Sequence, residues 1–166
     1  MAITDDLPIL IRQERELLLP EFNEEVAWQI GWRLRELARS RAFAVAIDVR
    51  RFGQPLFYAA LAGTTPDHVE WVRRKSNVVG RFHRGSYRVG LELQQRQTSL
   101  AEKYGLPALD FAAHGGSFPL QVTGARVIGS VTVSGLAQRA DHELVIEALC
   151  GQLGKPYSDL ALAKAG

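Results

Sequence analysis

Four histidines, His68, His83, His114 and His142, are the side chains of this sequence best suited to acid–base or ligand chemistry near neutral pH. No two stand at the i, i+4 spacing of a helical zinc site, and a single cysteine, Cys150, cannot build a thiolate-rich one, so no metal site is assigned. His83 has the richest company: Arg81-Phe82-His83-Arg84-Gly85-Ser86-Tyr87 sets two cations, an imidazole, a hydroxyl, a phenol and aromatic rings close together. His114 opens His114-Gly115-Gly116-Ser117, whose double glycine suits a sharp turn able to place backbone N–H groups beside a ligand. Val133-Ser134-Gly135 precedes a helix from Gln138, and a strand, a glycine turn and a helix N-terminus together form a geometry suited to anions. In the first turn of that helix, Asp141 and Glu143 fit capping and dipole compensation. A cationic His142 is disfavoured there, which points to a neutral, partnered or ligand-facing imidazole.

An oxyanion-stabilising role of the lipase type for His114-Gly115-Gly116-Ser117 needs a nucleophilic serine on a G-x-S-x-G elbow, and no such pentapeptide is present. The charge pattern is more informative. Residues 71–91 hold Arg73, Arg74, Lys75, Arg81, Arg84 and Arg88 with no acid, while residues 1–30 hold seven acids against Arg12 and Arg15. Two readings stand. The basic stretch is a solvated helix face matched by the acidic N-terminal helix of the same or a neighbouring subunit, or it is a site for a carboxylate or phosphate. The whole chain carries only +2, far from a general nucleic-acid binder, and no nucleic-acid partner is expected.

The elements that must position these residues follow from periodicity. At 166 residues the chain fits one domain and can bury a core without a disulfide or metal staple. Asp5 or Asp6 caps a helix over 5–19 that tolerates Pro8 in its first turn and ends at Pro20. Asn23-Glu24-Glu25 opens a stronger helix to about Ala42, with Val26, Ala27, Ile30, Leu34, Leu37 and Ala38 on one face. Two β-prone runs, 43–49 and 56–61, flank Arg50-Arg51-Phe52-Gly53-Gln54-Pro55 and predict an antiparallel hairpin. Thr65 as cap and Pro66 at the first position start the basic helix, which breaks near Gly85-Ser86; shorter helices follow from Tyr87 and Ser99. Residues 127–134 read as a strand and 138–153 as a helix, with a domain over 1–154 and a weakly held tail over 155–166. Because strands arrive as neighbouring pairs, an α+β fold with an antiparallel sheet covered by helices is expected. No run approaches ~20 apolar residues and the acidic N-terminus lacks signal-peptide features, so no membrane partner and a cytoplasmic location are expected.

Residues 44–49 through Gly53-Gln54-Pro55-Leu56-Phe57, then Trp71-Val72-Arg73-Arg74-Lys75, Phe82-His83-Arg84-Gly85-Ser86-Tyr87, His114-Gly115-Gly116-Ser117-Phe118-Pro119-Leu120, and Gly129 to Leu136 with Gln138 and Asp141-His142-Glu143 resemble the GlcG/HbpS-like superfamily, often labelled a haem-degrading domain. The resemblance covers about residues 5–154. It implies a profilin-like fold with a five-stranded antiparallel sheet flanked by helices, homo-oligomers, and haem as a cofactor for some members. The chain lacks the Cys-x-x-Cys-His of covalent haem attachment, so a haem would be held noncovalently by His83, His114 or His142 with basic side chains for its propionates.

Three functions remain in play. The first is binding of an anionic, partly apolar small molecule, with haem as the example, between the sheet, the Gly115-Gly116 turn and the basic helix. The expected site is Lys75, Arg81, His83, Arg84, Ser86, His114, Gly115, Gly116, Ser117, Ser134, Gly135, His142 and Glu143. The second is an enzyme using the same pocket with a histidine as general acid or base. The third is an oligomeric interaction or holding protein with no pocket chemistry, its acidic and basic helices serving as complementary subunit surfaces.

Overall fold

The computed structural model describes residues 2–164; Met1 and the last two residues of the expected tail lie outside the described residues. Helix α1 (Ala2–Glu16) starts and ends three residues earlier than the sequence suggests, so Pro8 falls inside it and not in its first turn. Asn23 opens α2 (Glu24–Ser40) as expected, its side-chain oxygen accepting the Val26 N–H at 2.9 Å. The hairpin forms from β1 (Ala46–Arg51) and β2 (Gln54–Ala60). Phe52 and Gly53 turn it with φ of 49° and 81°, a pair of positive values that matches the twist of the two strands. Pro55, which has no N–H to give, lies in an edge strand.

The basic helix is α3 (Asp67–Phe82). Thr65 does not cap it: Pro66 holds the cap position with no side-chain bond, and the Thr65 N–H donates instead to Nδ1 of His68 at 3.0 Å. Two shorter helices follow, α4 (Ser86–Gln95) and α5 (Leu100–Tyr104), then β3 (Ser117–Gln121), β4 (Val127–Ser134) and α6 (Gln138–Leu153). The strands form an antiparallel sheet in the order β2-β1-β4-β3.

Among the described residues this sheet has four strands where the family resemblance implies five. Beyond β3 there is only a single parallel bridge. The Leu19 N–H donates to Gln121 O at 2.9 Å and the Thr123 N–H donates to Leu19 O at 2.8 Å.

The two faces of the sheet differ in chemistry. Val45, Ile47, Val49, Phe57, Phe118, Val131 and Val133 belong to a core shared with Ile30 and Leu34 of α2 and Val145, Ile146 and Leu149 of α6. The alternate positions, which point the other way, carry a polar row. Tyr58, Asp48, Thr132 and Ser117 stand in register across all four strands, and the last three are fully buried. Helix α3 packs against β4, β3 and β1. Its charged and hydroxylic residues therefore meet a polar sheet face.

The segment after α6 is packed, not weakly held. Leu160 and Leu162 are buried, the Leu160 carbonyl accepts from Gln13 Nε2 at 2.7 Å, and the Leu162 N–H donates to the Glu143 carboxylate. Apolar side chains beyond Pro156 give this stretch a surface to bury, which outweighs its terminal position.

Candidate functional site

Helix α3 contributes to two clefts. The first has a volume of about 300 Å³ and lies where the N-terminal half of α3, the end of β4 and the start of α6 meet the His114 turn. At its base Lys75 donates from Nζ to Asp141 Oδ2 at 3.0 Å and to the Val133 carbonyl at 3.3 Å. Asp141 also accepts the N–H groups of Gly135 at 3.3 Å and Leu136 at 2.9 Å, so it caps the turn as well as pairing the lysine. Burial pushes the Lys75 ammonium below its usual range and the Asp141 carboxyl above its own, each opposed by the charge of the other.

The double glycine is needed by this construction. Gly116 has φ +136°, and a Cβ there would lie 2.2 Å from the Val133 carbonyl oxygen and 2.8 Å from Lys75 Nζ. The Gly115 N–H donates to Gln138 Oε1 at 3.0 Å. His114 stands edge-on to Trp71 with ring centroids 5.6 Å apart, and Arg74 covers the Trp71 ring at 4.6 Å. Partial desolvation, then Lys75, then Arg74 hold the His114 imidazole below its usual pKa, which favours its neutral form.

The second cleft, about 880 Å³, runs between the C-terminal half of α3, the hairpin turn and the start of β4. Arg81, His83 and Asn77 line one side; Arg50, Phe52 and Phe111 also border it. His83 ends α3 in the left-handed conformation at φ 55°, its N–H donating to Val79 O at 2.8 Å. Arg50 is committed to Asp48 through bonds of 2.7 and 2.8 Å. Phe52, at 80% exposure, presents its ring to solvent.

The cations of the basic stretch are mostly spent within the chain. Arg73 meets Glu70 and Asp110, and Arg74 donates to Ala108 O. Arg84 meets Glu92 at 2.7 Å, and Arg88 meets Glu14 and Glu92, both at 2.8 Å. Asp6 binds Arg139. Asp6 and Glu14 of the acidic N-terminal helix are thus matched inside their own chain. Arg81 alone among the cations of residues 71–91 has no hydrogen-bond or ion-pair partner among the described residues.

The sequence-derived site therefore divides. Lys75, His114, Ser134 and Gly135 share the first cleft with Asp141, and Arg81 and His83 share the second. Ser86 and Ser117 are buried and bond to each other: the Ser117 N–H donates to Ser86 Oγ at 3.0 Å, and Ser117 Oγ pairs with Thr132 Oγ1 at 2.8 Å. Arg84 turns to Glu92, and Glu143 accepts from Tyr157 and Leu162. His142 is buried in the core against Tyr87 and Phe118, with Nε2 on Gln13. The three histidines do not converge, because α3 carries His83 to its C-terminal end while the His114 turn meets its N-terminal half. Trp71, Gln138 and Asp141 in the first cleft, and Arg50, Phe52 and Phe111 in the second, were not foreseen. Only Phe52, in a hairpin turn, carried a local signal of exposure.

Among the described residues no helix is long and apolar enough to cross a membrane. The model of the family described as haem degrading protein HbpS-like matches residues 22–150, which include both clefts' α3 and β4 walls. The chain belongs to the HbpS-like family. Its relatives include the UPF0303 protein of Paraburkholderia phymatum, 59% identical over 165 residues covering 99% of this chain and 100% of that protein. Among solved structures, Ybr137w superposes with a TM-score of 0.82 at 26% identity over 89% of this chain and 87% of that one. The PduOC chain, crystallised as a haem complex, superposes with a TM-score of 0.67 at 14% identity over 78% and 93% of the two chains, which shows a shared fold.

Proposed function

We propose that the protein binds an anionic, partly apolar small molecule of the haem type in the cleft of Arg81 and His83. The observation that carries this reading is the Arg81 guanidinium, unpaired among the described residues. It borders the larger cleft beside the rings of Phe52 and Phe111, in a stretch whose other cations are all engaged. A cleft with apolar walls and a few converging polar groups is the usual form of a small-molecule site, and this one has the volume that the first cleft lacks. The family's description and the haem complex of PduOC support haem as the ligand class.

The donor set fits such a ligand. His83 offers an imidazole for iron, Arg81 a forked donor for a propionate carboxylate, and Phe52 and Phe111 apolar surface for a macrocycle. Arg50, held by Asp48, adds positive potential without a free hydrogen-bonding fork. A bound haem would supply its iron as the reactive centre; the chain's own contribution is to orient it and neutralise its carboxylates. The test is a haem titration followed by absorbance with His83→Ala and Arg81→Ala alongside the native protein. Cytoplasmic residence belongs to the same reading and is supported by the single, buried thiol of Cys150.

Self-association is a second reading, favoured by Trp28 and Trp32. They lie one helical turn apart on α2 and are 56% and 50% exposed, although tryptophan is usually buried. If they anchor a homo-oligomer, Trp32→Ala lowers the sedimentation coefficient of the native protein. An unchanged monomer-sized species in both proteins refutes it.

A further inference from the structure

We infer that Lys75 is a reactive amine that forms a reversible imine with a small, uncharged aldehyde admitted to the first cleft. The inference concerns a different cleft from the ligand site proposed above and stands independently of it. Lys75 is one of four lysines in the chain and is almost fully buried, yet it lines a cleft of about 300 Å³, room for a small molecule. An ammonium has three donors, and the chain engages two of them, at Asp141 Oδ2 and Val133 O. Asp141, 3.0 Å away, is a base held in place by two backbone N–H groups. The His114 imidazole, with no hydrogen-bond partner among the described residues, borders the same space. A nucleophile, an oriented carboxylate and a proton relay in one cleft are the parts that imine chemistry needs.

The cleft also contains the Asp67 carboxylate, which disfavours an anionic carbonyl compound and leaves a neutral aldehyde as the class that fits. Burial lowers the cost of moving the proton from Lys75 to Asp141, since it disfavours both charges.

The steps balance. The Lys75 ammonium passes one proton to the Asp141 carboxylate, and the free amine attacks the carbonyl carbon, forming a C–N bond as the π electrons move to oxygen. His114 relays a proton from the nitrogen to that oxygen, giving a neutral carbinolamine. The Asp141 carboxylic acid then protonates the hydroxyl, the C–O bond breaks, water leaves, and the nitrogen lone pair closes the C=N bond. An iminium on Lys75 is left facing a restored Asp141 carboxylate. One ammonium and one aldehyde have become one iminium and one water, with no oxidant or reductant consumed.

The test treats the full chain with propionaldehyde and sodium cyanoborohydride at pH 7 and follows each lysine by peptide mass mapping over time. The expected result is modification of Lys75 at least about tenfold faster than Lys103, Lys155 or Lys164, a margin inside the ~100-fold or more that a positioned acid–base partner typically contributes. In His114→Ala, a variant at an exposed position outside the core, the Lys75 rate falls toward that of the other three while theirs is unchanged. Modification of Lys75 no faster than the other lysines overturns the inference. So does a Lys75 rate that His114→Ala leaves untouched. Haem binding in the second cleft is expected to survive the Lys75 adduct, so the two site assignments fail separately.

Discussion

Nε2 of His142 lies 2.8 Å from Oε1 of Gln13, and Nδ1 of the same ring has no partner among the described residues. The direction of the bond is set from outside. Gln13 spends its amide N–H on the Leu160 carbonyl at 2.7 Å, so its oxygen must accept and His142 must donate from Nε2. The Nδ1 lone pair is left among the rings of Tyr87 and Phe118, 5.4 and 5.9 Å from the imidazole by centroid. Burial, partly opposed by Asp6, pushes the His142 pKa down to about 3.

This makes stability depend on pH. Between pH ~6.5 and ~3 the unfolded imidazole is protonated and the folded one is not, so unfolding takes up a proton and acid favours it. The contribution is full above pH ~6.5 and declines by about 1.4 kcal/mol per pH unit as the pH falls, on the order of 4–5 kcal/mol in all. Glu14, Asp141 and Glu143, whose carboxyls burial raises, act in the opposite sense. The comparison that isolates His142 is therefore with His142→Asn. Urea unfolding at pH 7 and pH 5 shows the native protein losing stability relative to the variant by about 2 kcal/mol. Parallel losses contradict the burial argument.

Removing residues 156–166 destabilises the protein by at least about 3 kcal/mol, since two leucines lose their burial at about 1.5–3 kcal/mol each. The same truncation strips the Gln13 amide of its acceptor and Glu143 of two donors. A urea midpoint unchanged by truncation would show that this segment only rests on the surface.

Much of the scaffold was legible because it obeys local rules. The Asn23 cap, the apolar stripe of α2, the β-branched run of β4 and the helix after Gly135 all follow from spacing alone. The missing fifth strand was not, because whether Leu19 extends a ladder depends on where Val122 lies. The site was legible as composition and not as geometry. Lys75 and Asp141 are 66 residues apart, and nothing local marks them as partners. His83 and His114 fall in different clefts because α3 separates them, a distance along the helix axis that residue type cannot convey.

Glycine positions give a graded test of packing. At Gly135, φ is +150° and a Cβ would sit 2.2 Å from the Ala44 carbonyl oxygen, so Gly135→Ala meets rigid backbone as well as an unfavourable dihedral. At Gly53 the dihedral is also positive, at +81°, but no atom lies within 4 Å. Gly135→Ala is expected to cost about 2–4 kcal/mol in chemical denaturation, and Gly53→Ala about 1–2 kcal/mol. Equal costs would mean that the turn before α6 relaxes freely.

The ligand assignment rests on one cation that the fold leaves unanswered. Haem titrated into the native protein, His83→Ala, Arg81→Ala and His114→Ala, with the Soret band recorded at each step, tests it most directly. The predicted result is a shifted band in the native protein and His114→Ala, loss of that band in His83→Ala, and affinity about tenfold or more weaker in Arg81→Ala, the worth of one charge-assisted hydrogen bond. A band that His83→Ala and Arg81→Ala leave unchanged, or that His114→Ala alone abolishes, contradicts it.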